Sequence, residues 1–439
     1  MISTYNETHM NQKVVIPVLV IFTSCFLHCR SAKLSAGNNS LSLTNSSAVA
    51  LTDKPVAIKR GQLRSIPAGN VYPLIMSSKG DTIPAQLDDL NADNAWDELF
   101  FVVNLARSAT ETYTLAWVTN QPSFTKRTSV RFGKRMSATE KVQPAMSEVV
   151  HARDMPKRMG FQRYQTDGPS WENDKVGFRH YLDGRNAKDV FGKRVAYMSP
   201  ETVGISAAGA VEDNYHVMES WGRDVMAVQN AIGIGGIAML NRDSILRLGI
   251  TVDDTLNNVE TTTFNIVTEG PVRSMMNIKY NNWKAADRSY NIEETPGIWP
   301  GMHAYHNSVK ASGLQGNENL LIGMVSIFAT KPPTLLKVTD KWVALISHDK
   351  HSYNKEWWLP LALILPADSY LGFIEAPKRG KLSNSYLAKM KVSNNKPIDY
   401  YAVACWDGAD RGFQDPAYFQ KYVENLTRQI SAEVKVTIK

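Results

Sequence analysis

Strand-like segments recur along this chain at short spacing, and helical periodicity is nearly absent before residue 415. VGFRHYL (176–182), GIAML (236–240), TTTFNIV (261–267), PVRSMMNIKY (271–280), LLIGMVSIFA (320–329), KWVALIS (341–347), WWLPLALIL (357–365), YLAKMKV (386–392) and DYYAVACW (399–406) are rich in β-branched and aromatic residues. Many strands without alternating helices predict antiparallel sheets and not a parallel α/β fold. The expected class is mainly β, a large antiparallel β-sandwich with one C-terminal helix. Asp415-Pro416 supplies an N-cap and first-turn pair for that helix. Phe419, Tyr422, Val423, Leu426 and Ile430 follow at helical spacing and predict one apolar stripe packed on a sheet. AEVKVTI (432–438) then returns as a last strand.

The 439 residues, 43% hydrophobic and 21% charged, suffice for two packed domains. Lys13 precedes VVIPVLVIF (14–22), a run of the length of a signal-peptide core. It is too short for a bilayer, which needs roughly 20 residues. Small residues lead into Cys25, as at a lipoprotein processing site; Met10 offers a second start, and ordinary signal cleavage before Leu41 is the alternative. The expectation is an exported protein, lipid-anchored through Cys25 in the periplasm or at the outer membrane, or else soluble in the periplasm. Residues 1–25 read as leader and 26–50 as a flexible Ser/Asn-rich tether. Residues 51–132 read as a small β-sandwich, 133–165 as a basic, Met-rich linker and 166–439 as the large β-sandwich.

The formal charge of +7 is dispersed, with no long Lys/Arg run. That pattern disfavours nucleic acid and suits an anionic small or polymeric ligand. Two of the three cysteines lie in the leader, so Cys405 stands alone and no disulfide framework or CxxC zinc pattern is available. Its run, YYAVACW, predicts a buried thiol. His303/His306 and His348/His351 form two HxxH pairs. A strand puts the first pair on opposite faces and neither sits on a helix, so no metal is assigned; abundant Asp and Asn leave calcium open. GIGG (233–236) lacks the strand-to-helix context of a dinucleotide site and reads as a turn, and no GxSxG elbow is present. No cofactor is expected.

Four clusters concentrate chemistry. In VGFRHYLD (176–183), strand alternation puts Val176, Phe178, His180 and Leu182 on one face, and Gly177, Arg179, Tyr181 and Asp183 on the other. His180 on the apolar face reads as a hydrogen-bonded core histidine. Arg179 either clamps a ligand carboxylate or forms an internal Arg–Asp ladder across the sheet. In the second cluster, Tyr215-His216 precedes Trp221-Gly222-Arg223-Asp224, and a Tyr or His beside a sugar can move a proton. In the third, Trp299-Pro300-Gly301 marks a tight aromatic loop, followed by His303 and Tyr305 on one strand face. A polar loop, SHDKHSYNKEWW (347–358), joins two apolar strands.

GPSWENDKVGFRHYLDGRNAKDVFGK (168–193), YHVMESWGRDVM (215–226) with the following IGIGG, and GIWPG (297–301) resemble domain-of-unknown-function family 4861. The resemblance runs from about Pro55 to the C-terminus. It implies an exported bacterial protein of the kind found with polysaccharide-utilisation systems, often for uronate-rich glycans. It also implies a galactose-mutarotase-like supersandwich preceded by a smaller β-domain. It brings no settled catalytic residues, and it adds Trp171 and Glu172 to the candidates.

The leading expectation is a lyase acting by β-elimination on an anionic, uronate-containing glycan. That chemistry needs carboxylate neutralisation, a base and an acid. His216, Tyr215 and Tyr181 are the catalytic candidates; Arg179, Trp171, Glu172, Asp224, Trp299, His303 and Tyr305 are the binding candidates. A non-catalytic glycan-binding lipoprotein, a sugar mutarotase or epimerase, and a glycoside hydrolase using Glu172, Asp174, Glu212 or Asp224 stay open.

Overall fold

The run Leu361–Leu365 is apolar at every position, which a strand tolerates only when both its faces are covered. In the computed structural model, which describes residues 34–64, 66–154 and 160–439, that run is the strand Leu361–Pro366 of a nine-stranded antiparallel sheet. Leu361, Leu363 and Leu365 face the main core, while Ala362 and Ile364 face the other way, with Val403 and Cys405, toward Phe419, Val423 and Leu426 of the helix Pro416–Ser431. The helix begins where the sequence predicts, with Asp415 accepting a hydrogen bond from the Ala417 amide at 2.8 Å. Tyr422 and Ile430 complete its stripe, and Cys405 is buried beneath it.

Two five-stranded sheets cover the opposite face of the nine-stranded one. The first runs Gly222–Asp224, Lys188–Lys193, Val176–His180, Ser170–Asn173, Thr128–Arg131. The second runs Ser244–Arg247, Gly236–Asn241, Glu318–Val325, Ser385–Lys391, Tyr370–Glu375. Phe178 and Val190 of the first, Ile322 and Met324 of the second, and Ile278, Leu345 and Ala402 of the nine-stranded sheet share one core. This is the expected large β-sandwich. GIGG is the turn between the two five-stranded sheets: Gly233 has φ +76°, and a Cβ there would meet the Lys188 carbonyl at 1.7 Å. Polar groups also cross this core. Lys188 Nζ bonds Glu294 Oε2 at 2.6 Å, and Tyr280 OH bonds Glu294 Oε1 at 2.9 Å while lying 3.3 Å from His180 Nε2. His180 is thus the core histidine read from alternation, and its burial holds its pKa well below the usual value.

The smaller β-body pairs a five-stranded sheet with a three-stranded one around Leu41, Ile75, Leu115, Trp117, Ile58 and Phe101. Its membership departs from the sequence boundaries. The strand Leu34–Asn45 falls in the expected tether, and the C-terminal strand Val434–Ile438 pairs with it, Leu41 opposite Ile438. Alternating apolar residues let both join a half-buried sheet: Leu41 and Leu43 are buried with Asn39 and Asn45, while Ser40, Ser42 and Thr44 lie on the other side. The expected linker likewise contributes Ser147–His151, the edge strand beside Val259–Glu269 in the large sheet. Its Val150 supplies the apolar contact. The leader, with Val14–Phe22 and Cys25, lies outside the described residues.

Phe419 is fully buried between helix and sheet, and no backbone partner depends on its ring. Phe419→Ala is expected to cost about 3–5 kcal/mol through lost burial and a residual cavity. A urea titration followed by tryptophan fluorescence measures it.

Candidate functional site

The first five-stranded sheet buries both faces by different means. Its inner face is apolar: Val130, Trp171, Phe178 and Val190 pair laterally in register. Its outer face carries Arg131, Glu172, Arg179, Asp189, Phe191, Lys193 and Asp224. Residues 194–221 fold over that face, with Val203, Tyr215 and Trp221 packed on Phe191. The charges are therefore buried, and each must find a partner.

Arg179 lies opposite Asp189 on the neighbouring strand. Its Nη2 pairs with Asp189, donates to Asp224 Oδ2 at 2.7 Å and lies 2.7 Å from the Tyr181 oxygen. Tyr181 in turn donates to Asp189 Oδ2 at 2.6 Å. The guanidinium sits among the rings of Tyr181, Phe191 and Tyr215, at 4.5, 5.2 and 5.0 Å from their centroids. Only 1% of its side chain is exposed. This is the internal Arg–Asp ladder, not a ligand clamp: burial beneath residues 194–221 closes the guanidinium to a glycan carboxylate. Desolvation first, and the Asp189 charge second, push the Asp224 carboxyl well above the usual carboxylate range. Its Oδ1 has no hydrogen-bond partner among the described residues.

Above this cluster three groups open to solvent. His216 ends a single 3-10 turn, Asn214–His216, with 42% of its side chain exposed. Its Nδ1 lies 3.6 Å from Asp224 Oδ2. Partial desolvation, then the nearby Arg179 charge, lower its pKa below the usual value. Its ring meets Tyr353 edge-on at 5.9 Å between centroids. Burial, followed by Asp224 and Asp189, raises the Tyr353 phenol, which keeps its proton. Arg223 precedes Asp224; its Nε donates to the Asp224 carbonyl at 2.9 Å and its guanidinium lies 4.9 Å from the Trp357 ring centroid. Gly222 fixes this turn: φ is +139°, and a Cβ would meet the Gly192 carbonyl at 1.8 Å. The bridge between Met226 and Ser352 and the bond from the Tyr353 amide to the Val225 carbonyl, 3.1 Å, carry the polar loop to the site.

Of the sequence candidates, His216, Tyr215, Tyr181, Arg179 and Asp224 come together. Tyr215 does not offer its hydroxyl to a substrate beside His216; it donates to Asp213 Oδ1 at 2.9 Å, and its ring packs under His216. Tyr181 is likewise consumed by Asp189. Trp171 stacks on Phe178 and meets Tyr305 in the core, so neither ring reaches solvent. Tyr305 donates to the Ile234 carbonyl at 2.9 Å. Glu172 pairs with buried Lys193 and accepts from Ser199. Trp299 and His303 belong to the helix side of the large sheet, Trp299 against Tyr401 and His303 between Phe413 and Tyr422. Asp174 pairs with Arg127 and accepts from the Gly301 amide, so Glu172, Asp174 and Asp224 do not face one another. The HxxH rings are separately engaged: His306 by Asp399, His348 by the Phe413 carbonyl and His351 by Ser347. Sequence reasoning missed Tyr353 and Arg223 as site residues; Arg223 stood beside a chosen Asp, and Tyr353 stood in the polar loop.

A family model described as "Domain of unknown function (DUF4861)" matches residues 43–436. A curated relative, "Uncharacterized protein P7" of Formosa agariphila, is 24% identical over 298 residues, covering 62% of this chain and 68% of the relative. Two solved structures from Enterococcus faecalis are similar at 9% identity. One is of a protein in glycosyl hydrolase family 38, with a TM-score of 0.46, covering 92% of this chain and 48% of that one. The other is of an alpha-mannosidase, with a TM-score of 0.44, covering 92% and 46%. The chain spans about half the length of each.

Two outcomes follow from this burial. Arg179→Met leaves Asp189 and Asp224 without their cation and is expected to cost about 3–5 kcal/mol of stability in urea, where loss of a surface clamp costs almost nothing. Burial lowers His351 from 6.5 to about 4. The unfolded chain therefore binds that proton first, and stability present above pH 6.5 falls between pH 6.5 and about 4, by on the order of 3 kcal/mol for this group. Chemical denaturation across that range, with His351→Gln flattening the slope, checks it.

Proposed function

This chain belongs to the DUF4861 family, and from that premise we propose an exported carbohydrate-active protein, a lyase acting on uronate-containing glycans. The observation that carries the reading is the rim where His216 meets Tyr353 over Asp224, with Arg223 on the adjoining edge strand against Trp357. His216 Nε2, the Tyr353 hydroxyl and the terminal nitrogens of Arg223 carry no hydrogen bond to another described residue. β-Elimination needs those three functions. Arg223 replaces buried Arg179 as the group that neutralises the uronate carboxylate. Neutral His216 takes the C5 proton; its electron pair forms the C4–C5 double bond as the C4–O bond breaks. Tyr353 replaces Tyr215 as donor of a proton to the leaving oxygen. Asp224 Oδ2, 3.6 Å behind Nδ1, is the acceptor toward which that nitrogen turns its N–H, which leaves Nε2 as the base. The supporting physics is electrostatic: a depressed imidazole is free base at neutral pH, and a raised phenol is a held acid. Substrate class rests on the sequence resemblance and on the guanidinium–indole pair, which suits an anionic sugar.

The test is a panel of uronate polysaccharides and oligosaccharides, with and without calcium, read by ultraviolet absorbance of unsaturated uronate and by mass spectrometry. His216→Ala is expected to lower kcat/KM by about 10²–10⁴-fold. The kcat/KM of the wild type is expected to rise with pH through a pKa below 6.5 and level off above it. Saturated fragments in place of absorbance assign hydrolysis, and retention without turnover assigns binding. Full turnover by His216→Ala removes the mechanism.

A further inference from the structure

Beside the rim lies a cavity of about 520 Å³, lined by Phe161, Tyr164, Asp167, Asp183, Arg185 and Ile250 among others. That volume is within the range of small-ligand sites. It adjoins the rim through two contacts. Gln162, also in its wall, donates at 3.1 Å to the Asp213 oxygen that Tyr215 binds. Asp167 Oδ2 lies 3.8 Å from Arg179 Nη1. Tyr164 is buried, and its hydroxyl has no hydrogen-bond partner among the described residues.

The charges of the wall are mostly spent. Arg163 pairs with Glu148 at 2.9 Å, and Asp254 pairs with Lys381 at 2.5 Å. Arg185 is shared by Asp183 at 2.6 Å and Asp167 at 3.3 Å, and its guanidinium lies 3.7 Å from the Tyr181 ring centroid. Arg185 faces both carboxylates, and Arg179, 3.8 Å from Asp167, is already held by Asp189 and Asp224, so acceptors are in excess. A second uronate in this space meets like charge, whereas the hydroxyls of an uncharged sugar find two carboxylates and a phenol to bond, and its apolar face finds Phe161 and Ile250.

We propose that this cavity is a subsite for an uncharged sugar next to the uronate held at His216, so that the substrate is a heteropolymer alternating uronate with neutral sugar and not a homopolyuronate. This rests on the uronate reading of the rim. The test is isothermal titration of the mature protein carrying His216→Ala, which prevents turnover, with two tetrasaccharides. One is galacturonate alone, and the other alternates glucuronate with N-acetylglucosamine. The alternating tetrasaccharide is expected to bind at least about tenfold more tightly, a difference of about 1.4 kcal/mol. Adding Asp183→Asn is expected to narrow that ratio by favouring the homopolymer, and Tyr164→Phe to weaken the alternating ligand alone. Asp183 and Arg185 are both partly exposed, so the Asn variant keeps the fold, checked by thermal melting. Equal affinities unmoved by either substitution overturn the subsite while turnover on a uronate panel leaves the rim intact. No binding of either tetrasaccharide together with no turnover overturns both.

Discussion

A guanidinium and two carboxylates are held away from water on the outer face of one five-stranded sheet, and the arrangement of the candidate site follows from that burial. Moving such charges out of water costs several kcal/mol each unless their partners are fixed. Register supplies the first partner, since Arg179 and Asp189 face each other across a hairpin. The short strand Gly222–Asp224 supplies the second. Residues 194–221 must then cover what the sheet cannot hide, and the turn Asn214–His216 within that cover brings His216 to the surface over Asp224.

The same sheet explains why the rim is electrostatically poised. Asp189 and Asp224 share one guanidinium nitrogen, and desolvation first, then the Asp189 charge, raises the Asp224 carboxyl well above the usual carboxylate range. Partial burial first, then Arg179 beneath it, lowers the affinity of His216 for its proton. Burial first, then the carboxylates, raises the Tyr353 phenol, which keeps its hydroxyl proton. The imidazole and the phenol are thereby shifted in opposite directions by the surroundings of each.

Support comes from the rest of the sandwich. The Lys188–Glu294 pair ties the site sheet to the nine-stranded sheet through the core, where a buried ion pair fixes one alignment of the layers. The helix Pro416–Ser431 seals the far face, and the strand after it returns to the first described strand of the chain. Both ends of the described chain thus sit in one sheet, which makes the smaller body part of the same closed structure and not an appended module. Ion pairs such as Arg127 with Asp53 and Asp174 bridge the two bodies.

Much of the fold was legible because its signals are local. Richness in β-branched and aromatic residues marked the strands, and Asp415-Pro416 marked the helix start. Alternation also sorted His180 from Arg179 correctly. The leading role assigned to Arg179 was not correct, because a guanidinium facing solvent and one facing a covering loop have the same sequence; only the path of residues 194–221 separates them. The strands at 34–45 and 147–151 were missed because their partners, Thr110–Val118 and Val434–Ile438 for the first and Val259–Glu269 for the second, lie far along the chain. Tyr353 reaches His216 from 137 positions further along the chain (353 − 216), and nothing in local pattern encodes that meeting. The sequence by itself determined strand faces, the helix and the supply of titratable groups, since these depend on neighbours along the chain. Which groups became buried partners and which remained free to meet a ligand was decided by tertiary structure, because burial and charge pairing depend on what lies across the sheet and above it.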